Sequence, residues 1–214
     1  ESAYDKNMAI LYEKTGFYSK AIAIYREGRI PGDQTLQMAS LYEKNGQYRE
    51  ALELLKSLSG EESLIRRAVI RYKYYNENDA ARALLKEVRS KENQERVELL
   101  KGSISLRQGD YEAAKSAFQP LAASADKDIR INAAIGMANL LFKTNAYHDC
   151  LDYIRRTLDS LPDKENQSER VILKNLLSLA LLETGNEQLA LSEIDEALET
   201  ARRYNIIGET TALM

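Results

Sequence analysis

The sequence predicts an all-α chain of stacked antiparallel helix hairpins, and three observations carry that prediction. A segment repeats, since LYEKTGFYSKA at Leu11 to Ala21 returns as LYEKNGQYREA at Leu41 to Ala51, thirty residues on. A Gly or Asn then recurs as a fixed anchor six times, at Gly16, Gly46, Asn76, Gly109, Asn145 and Gly185. Five residues after every anchor stands a small side chain (Ala21, Ala51, Ala81, Ala114, Cys150, Ala190). Nine after it stands a large apolar one (Tyr25, Leu55, Leu85, Phe118, Ile154, Ile194). A tyrosine two residues past the anchor (Tyr18, Tyr48, Tyr111, Tyr147) fills four of the six units, with Asn78 and Glu187 as exceptions.

Each column has a physical reason. Gly and Asn adopt the left-handed backbone that ends a helix and reverses the chain. The small residue lets two antiparallel helices approach closely, and the large one fills the space a turn further along. A hairpin with one apolar stripe buries it only against a neighbouring hairpin, which makes the chain a stack.

The units follow in order. The first covers residues 2–31, where Met8, Ala9 and Tyr12 give its first helix one apolar face, and ends at Pro31-Gly32-Asp33. The second, 32–61, repeats that face with Met38, Ala39 and Tyr42 and closes in Ser59 to Glu62. The third, 62–94, offers Ala68, Val69 and Tyr72 and runs into the polar link Ser90 to Asn93. The fourth, 95–130, places Gly102 in the small slot of its first helix and ends at Ser124 to Asp128. The fifth, 131–170, contains the break Pro162-Asp163-Lys164, and the sixth is 171–204. Residues 205–214 read as a cap or, from Gly208, as the start of a further helix, with Ile206, Ile207, Leu213 and Met214 apolar. No break is long enough for a linker, so 1–214 reads as one solenoid.

This arrangement resembles the tetratricopeptide repeat family, in six copies over essentially the whole chain. The resemblance implies a right-handed superhelical solenoid that binds protein or peptide partners along a concave surface lined by each unit's first helix. The departures are the absence of a tryptophan near the start of any first helix, the lack of a proline in the usual place after the second helix, and anchor spacings of 30, 30, 33, 36 and 40 residues against a usual period of about 34. The first units are about one helical turn short and the last are longer.

Composition excludes several function classes. The 214 residues include one histidine, one cysteine and a net charge of −3. These counts argue against a histidine-rich metal centre, an internal disulfide and a global positive field for nucleic acid. Apolar runs of only a few residues exclude a membrane-spanning helix. The strings GxxxxGK[ST], GxGxxG, HExxH, CxxC and GxSxG are all missing. His148-Asp149-Cys150 is the one tempting cluster, and the register sends Cys150 to the buried small-residue column. No catalytic residue, metal or cofactor is therefore expected. Asn166-Gln167-Ser168 is a formal glycosylation sequon of no weight by itself. The start at Glu1 without methionine and the apolar end read as a piece of a larger protein. Its compartment stays open between cytoplasm and periplasm, with a soluble chain expected.

Carried through the register, the resemblance places Lys6, Gln37, Arg66, Arg67, Ile70 and Tyr74 on the lining of the first three units. Leu99, Leu106, Ile135, Asn139 and Phe142 follow in the next two. Ser63 to Tyr75 holds no acid while Arg66, Arg67, Arg71 and Lys73 share one helix, which suits a partner with an acidic segment. The alternative is pairing with Glu61, Glu62 or Glu77. Leu99, Leu106, Ile135, Phe142, Leu176 and Leu179 form either an apolar groove for an amphipathic helix or a packed seam between units. A clamp for a C-terminal carboxylate, known in the family, is disfavoured because Ile10 and Ser63 stand where its Asn and Lys belong. Tyr12, Tyr42 and Tyr72 read as interhelix packing rather than base stacking. The expected function is a protein-interaction scaffold, with a self-assembling module that forms homo-oligomers through its groove or its ends as the alternative.

Overall fold

The computed structural model describes residues 2–28, 33–162, 165–204 and 206. The expected breaks at Pro31-Gly32 and Asp163-Lys164, and the cap or further helix expected beyond Ile206, lie outside the described residues. The fold is an all-α, tetratricopeptide-like solenoid of helix hairpins, with no strand among the described residues. The hairpins are α1 (Ser2–Lys14) with α2 (Tyr18–Arg26), α3 (Thr35–Lys44) with α4 (Tyr48–Lys56), and α5 (Glu61–Tyr75) with α6 (Asn78–Lys86). They continue as α7 (Gln94–Gln108) with α8 (Tyr111–Leu121), α9 (Lys127–Lys143) with α10 (Tyr147–Ser160), and α11 (Gln167–Glu183) with α12 (Glu187–Arg203). Second helices lengthen from nine residues in α2, α4 and α6 to seventeen in α12, as the anchor spacings require. The chain divides into two compact units, Glu1–Val97 and Glu98–Met214.

All six anchors take the left-handed conformation, with φ between 54° at Asn76 and 80° at Gly109. The small-residue column is fully buried from Ala21 to Ala190, including Cys150. Asp110 caps α8 by accepting from the Ala113 N–H, and Asp126 caps α9 by accepting from those of Asp128 and Ile129.

Five of the six turns share one hydrogen-bond pattern. The residue after the anchor donates to a carbonyl five residues back: Phe17 to Tyr12, Gln47 to Tyr42, Asp110 to Ser105, Ala146 to Leu141 and Asn186 to Leu181. In the third hairpin Glu77 donates instead to Arg71, six back. The first-helix register of that hairpin is therefore displaced by one residue. Its small slot, held by Ala9, Ala39, Gly102, Ala138 and Ser178 seven residues before the other anchors, falls to Ala68, eight before Asn76, and all six are buried.

In the Glu1–Val97 unit, α3 packs on α2 and α5 on α4, around Ala21, Ala39, Leu41, Ala51, Leu55 and Ile70. In the Glu98–Met214 unit, α9 packs on α8, and α11 packs on both α9 and α10. There Phe118 fills a slot between two glycines, and a Cβ built on either Gly102 or Gly136 would lie 2.6 Å from its ring. Lys174 of α11 ties down α12 by donating to Glu193 at 2.9 Å and to Glu196.

Glu61 closes the third hairpin onto the segment that follows it. Its carboxylate accepts from the backbone N–H groups of Arg89 and Ser90, the Ser90 hydroxyl and the Asn93 amide, around a short 3-10 turn at Lys91–Asn93. These bonds, led by those from the Ser90 and Asn93 side chains, hold its pKa down to about 2 from 4.5. A depressed carboxylate stabilises the fold above its unfolded pKa, and that contribution is lost as pH falls from about 4.5 through about 2. Wild type is thus expected to exceed Glu61→Gln in thermal stability at neutral pH, with the gap closing across that window. A gap constant from neutrality to pH 2 would contradict the assignment.

Candidate protein-interaction surface

The residues expected to line a binding face stand on the first helices, and the two units differ in what they present there. In Glu1–Val97, each first helix reaches the next by a charged or polar bridge. Glu13 of α1 accepts from Gln37 Nε2 at 2.7 Å and Lys44 Nζ at 2.6 Å, both on α3. Glu43 of α3 accepts from Arg66 of α5 at 2.5 Å, and Arg66 also reaches the Leu36 carbonyl. Glu62 of α5 accepts from Arg96 of α7 at 2.7 Å. Burial raises the Glu43 carboxyl above its ordinary pKa, and the Arg66 charge only partly offsets this.

These bridges revise how the basic helix is read. Arg66 is paired with Glu43, and Arg71 with Glu77. Glu61 serves the loop after α6, and Glu62 pairs with Arg96 while also feeling the Arg66 charge. Lys6 and Lys73 are exposed. Arg67 is half-buried, and its Nε has no hydrogen-bond partner. The one-residue displacement in α5 corrects one expected lining residue. Ile70 has 0% exposure and belongs to the core with Leu41, Ala51 and Leu55. Tyr74 is turned toward the second helix of the preceding hairpin, stacked on Tyr48 with centroids 3.6 Å apart and planes 13° apart. The signal was in the sequence: Ala68, not Val69, carries the small side chain of that unit.

In Glu98–Met214 the same face is apolar. Three residues before each anchor stand Leu106, Phe142 and Leu182, where the first two units have Glu13 and Glu43. Leu99 and Leu106 are half-buried against the cluster around Phe118, Ala133 and Leu140. Ile135 and Phe142 are half-buried against the cluster of Ala138, Ile154 and Leu177, and Phe142 meets Tyr147 edge to face at 5.4 Å. Asn139 donates to the Ile135 carbonyl on its own helix. Of the two readings open for Leu176, groove or packed seam, the structure gives the packed one, for it is core. Leu179 and Leu182 of α11 are exposed and carry this face to the last hairpin. Both belong to the face by register, and only their exposure sets them apart from Leu176.

Cys150 lies buried with its Sγ 3.3 Å from the Ala138 carbonyl, and burial pushes its thiol pKa up to about 11, far from a reactive thiolate. His148 is exposed on the first turn of α10. Among the described residues no group of three His, Cys, Asp or Glu could hold a metal ion, and no helix is long and apolar enough to cross a membrane.

Comparison with known proteins agrees with this architecture. The tetratricopeptide repeat family model matches residues 35–63, the second hairpin. Among solved structures, a tetratricopeptide repeat protein from Parabacteroides merdae aligns with a TM-score of 0.76 and 17% identity, over 99% of this chain and 83% of that one. A structure of MamA from MSR-1 aligns with a TM-score of 0.52 and 15% identity, over 80% of this chain and 97% of that one. No curated protein matches the sequence. At such identities the likeness concerns the fold.

Proposed function

We propose that this chain, a solenoid of the tetratricopeptide type, is a non-catalytic protein-interaction scaffold that holds a partner on its first-helix face. One observation carries the reading: in Glu98–Met214 the register that is acidic in the first two hairpins becomes Leu106, Phe142 and Leu182, with Leu179 and Leu182 open to solvent. Apolar side chains repeated at one register on successive helices suit the apolar stripe of a partner helix or an extended peptide. In Glu1–Val97 the lining is largely neutralised within itself, which suits a face that sets specificity rather than affinity. An acidic segment, on this or another partner, would meet Lys6 and Lys73 there, with Arg67 on the same helix as Lys73.

The test is quantitative affinity capture from the native lysate, comparing wild type with Leu179→Glu/Leu182→Glu. Both residues are exposed, so the variant is expected to melt as wild type does. Its principal partner should be recovered at least about tenfold less well, as for loss of an interface hot spot. Full retention of every partner would overturn the apolar-face reading. A partner lost instead from Arg67→Glu would move the site to the first unit.

A further inference from the structure

Fifteen residues before the anchor, three first helices carry a long donor that ties down a carbonyl closing the preceding hairpin. Gln94 Nε2 donates to the Ser90 carbonyl at 3.2 Å, and Arg170 to the Leu158 and Leu161 carbonyls. Arg130 of α9 does the same to Ser124, at 2.5 Å. A neutral amide suffices at Gln94, so the tie by itself does not require the charge of Arg130. That charge borders a cleft of about 280 Å³ between the first two turns of α9 and the second half of α10. The apolar walls include Ile131, Ala134, Leu161 and Pro162, and the polar lining is Lys127, Arg130, Tyr153, Thr157 and Ser160. In four other hairpins the residue twelve after the anchor is apolar (Leu58, Val88, Leu121, Ala197), and here it is Thr157.

The charges of this lining do not cancel. Lys127 is paired with Glu165. Arg130 has no ion-pair partner among the described residues, and its single carbonyl bond leaves other N–H groups to donate. Thr157 and Ser160 spend their hydroxyl hydrogens on the Tyr153 and Thr157 carbonyls, at 2.9 and 2.7 Å. The Tyr153 hydroxyl has no hydrogen-bond partner among the described residues. Burial pushes its pKa up, against a smaller opposing pull from Arg156, so it stays a donor at neutral pH. Two donors, one of them charged, thus border an apolar cleft.

We propose that the cleft binds a small monocarboxylic acid with a compact apolar body. Arg130 pairs with the carboxylate, Tyr153 donates to it, and Ile131, Ala134 and Leu161 cover the body. The volume is roughly twice the 150 Å³ in which benzene is held in an apolar protein cavity, which suits an acid of about ten non-hydrogen atoms. A doubly charged phosphate ester is a poorer fit, because its second charge finds Lys127 already neutralised by Glu165. This goes beyond the partner-binding reading and uses none of its residues.

The experiment is an NMR titration of the 214-residue chain with phenylpropionate, its neutral amide and phenyl phosphate. The acid should saturate with a Kd of about 1 mM or tighter, shifting backbone amides within Lys127 to Ala134 and Tyr153 to Leu161. The amide and the phosphate should each bind at least about tenfold more weakly. Arg130→Gln keeps the kind of donor seen at Gln94, so it should melt as wild type does. It should bind the acid at least about tenfold more weakly. Ala134→Leu, which fills the cleft from a half-buried position, should abolish the shifts. Leu179→Glu/Leu182→Glu should bind the acid as wild type does, which separates this proposal from the scaffold reading. Absence of saturable binding, or equal binding of the acid and either comparison compound, overturns the proposal. So does a folded Arg130→Gln or Ala134→Leu protein that binds the acid as wild type does.

Discussion

Ala51→Glu is expected to unfold the Glu1–Val97 unit at room temperature. Ala51 is fully buried in the small-residue column, within the core cluster of Ala21, Ile22, Ala39, Leu41, Leu52, Leu55 and Ile70. A carboxylate there must either displace the packed helices or stay protonated in an apolar setting. Each course costs several kcal/mol, a large share of the roughly 5–15 kcal/mol that stabilises an ordinary domain. Because hairpins stabilise only their neighbours, the damage should spread through the first unit and spare much of Glu98–Met214. Circular dichroism should then show part of the helical signal lost before heating, with a residual transition near the wild-type temperature. A melt identical to wild type would mean that the column is not the close-approach position.

Phe118→Ala is expected to cost about 3–5 kcal/mol, the usual range for removing a large buried aromatic ring. The ring is 1% exposed and lies against two glycines, Gly102 of α7 and Gly136 of α9. No neighbouring side chain at those positions can swing in to refill the space, so the cavity persists. The converse changes should also harm: Gly136→Ala puts a Cβ 2.6 Å from the ring, inside any tolerable contact. Denaturant unfolding of the three proteins would test this. If Phe118→Ala lost less than about 1 kcal/mol, the aromatic wedge would not be the structural centre of that hairpin.

Most of the fold was legible in the letters because the repeat turns each structural role into a column. The anchors, the buried small residues from Ala21 to Ala190 and the large fillers such as Leu55 and Phe118 all stand where the pattern puts them. What the pattern could not give was a change in turn geometry. Asn76 and Gly46 are both left-handed, yet the bond from Glu77 to Arg71 spans one residue more than the bond from Gln47 to Tyr42. On a helix one residue is a rotation of about 100°, enough to carry Ile70 from a lining position into the core. The charge network was illegible for another reason. Pairs such as Glu13 with Lys44 and Glu43 with Arg66 lie on neighbouring first helices, 31 and 23 residues apart in sequence, and only the stacking brings them together. That is why the sequence offers Glu61, Glu62 and Glu77 as partners for the basic helix, and Glu43 is not among them. The exposure of Leu179 and Leu182 beside buried Leu176 likewise depends on helix orientation, which spacing alone leaves ambiguous.

The central claim is that partners are held on the first-helix face of Glu98–Met214. The most direct measurement is site-specific photo-crosslinking in the native lysate, with the probe at Leu182 on that face or at the exposed Asp152 on the second helix α10. A discrete adduct at Leu182 and none at Asp152 is the result predicted here. Equal adducts at both positions, or an adduct at Asp152 alone, would contradict it.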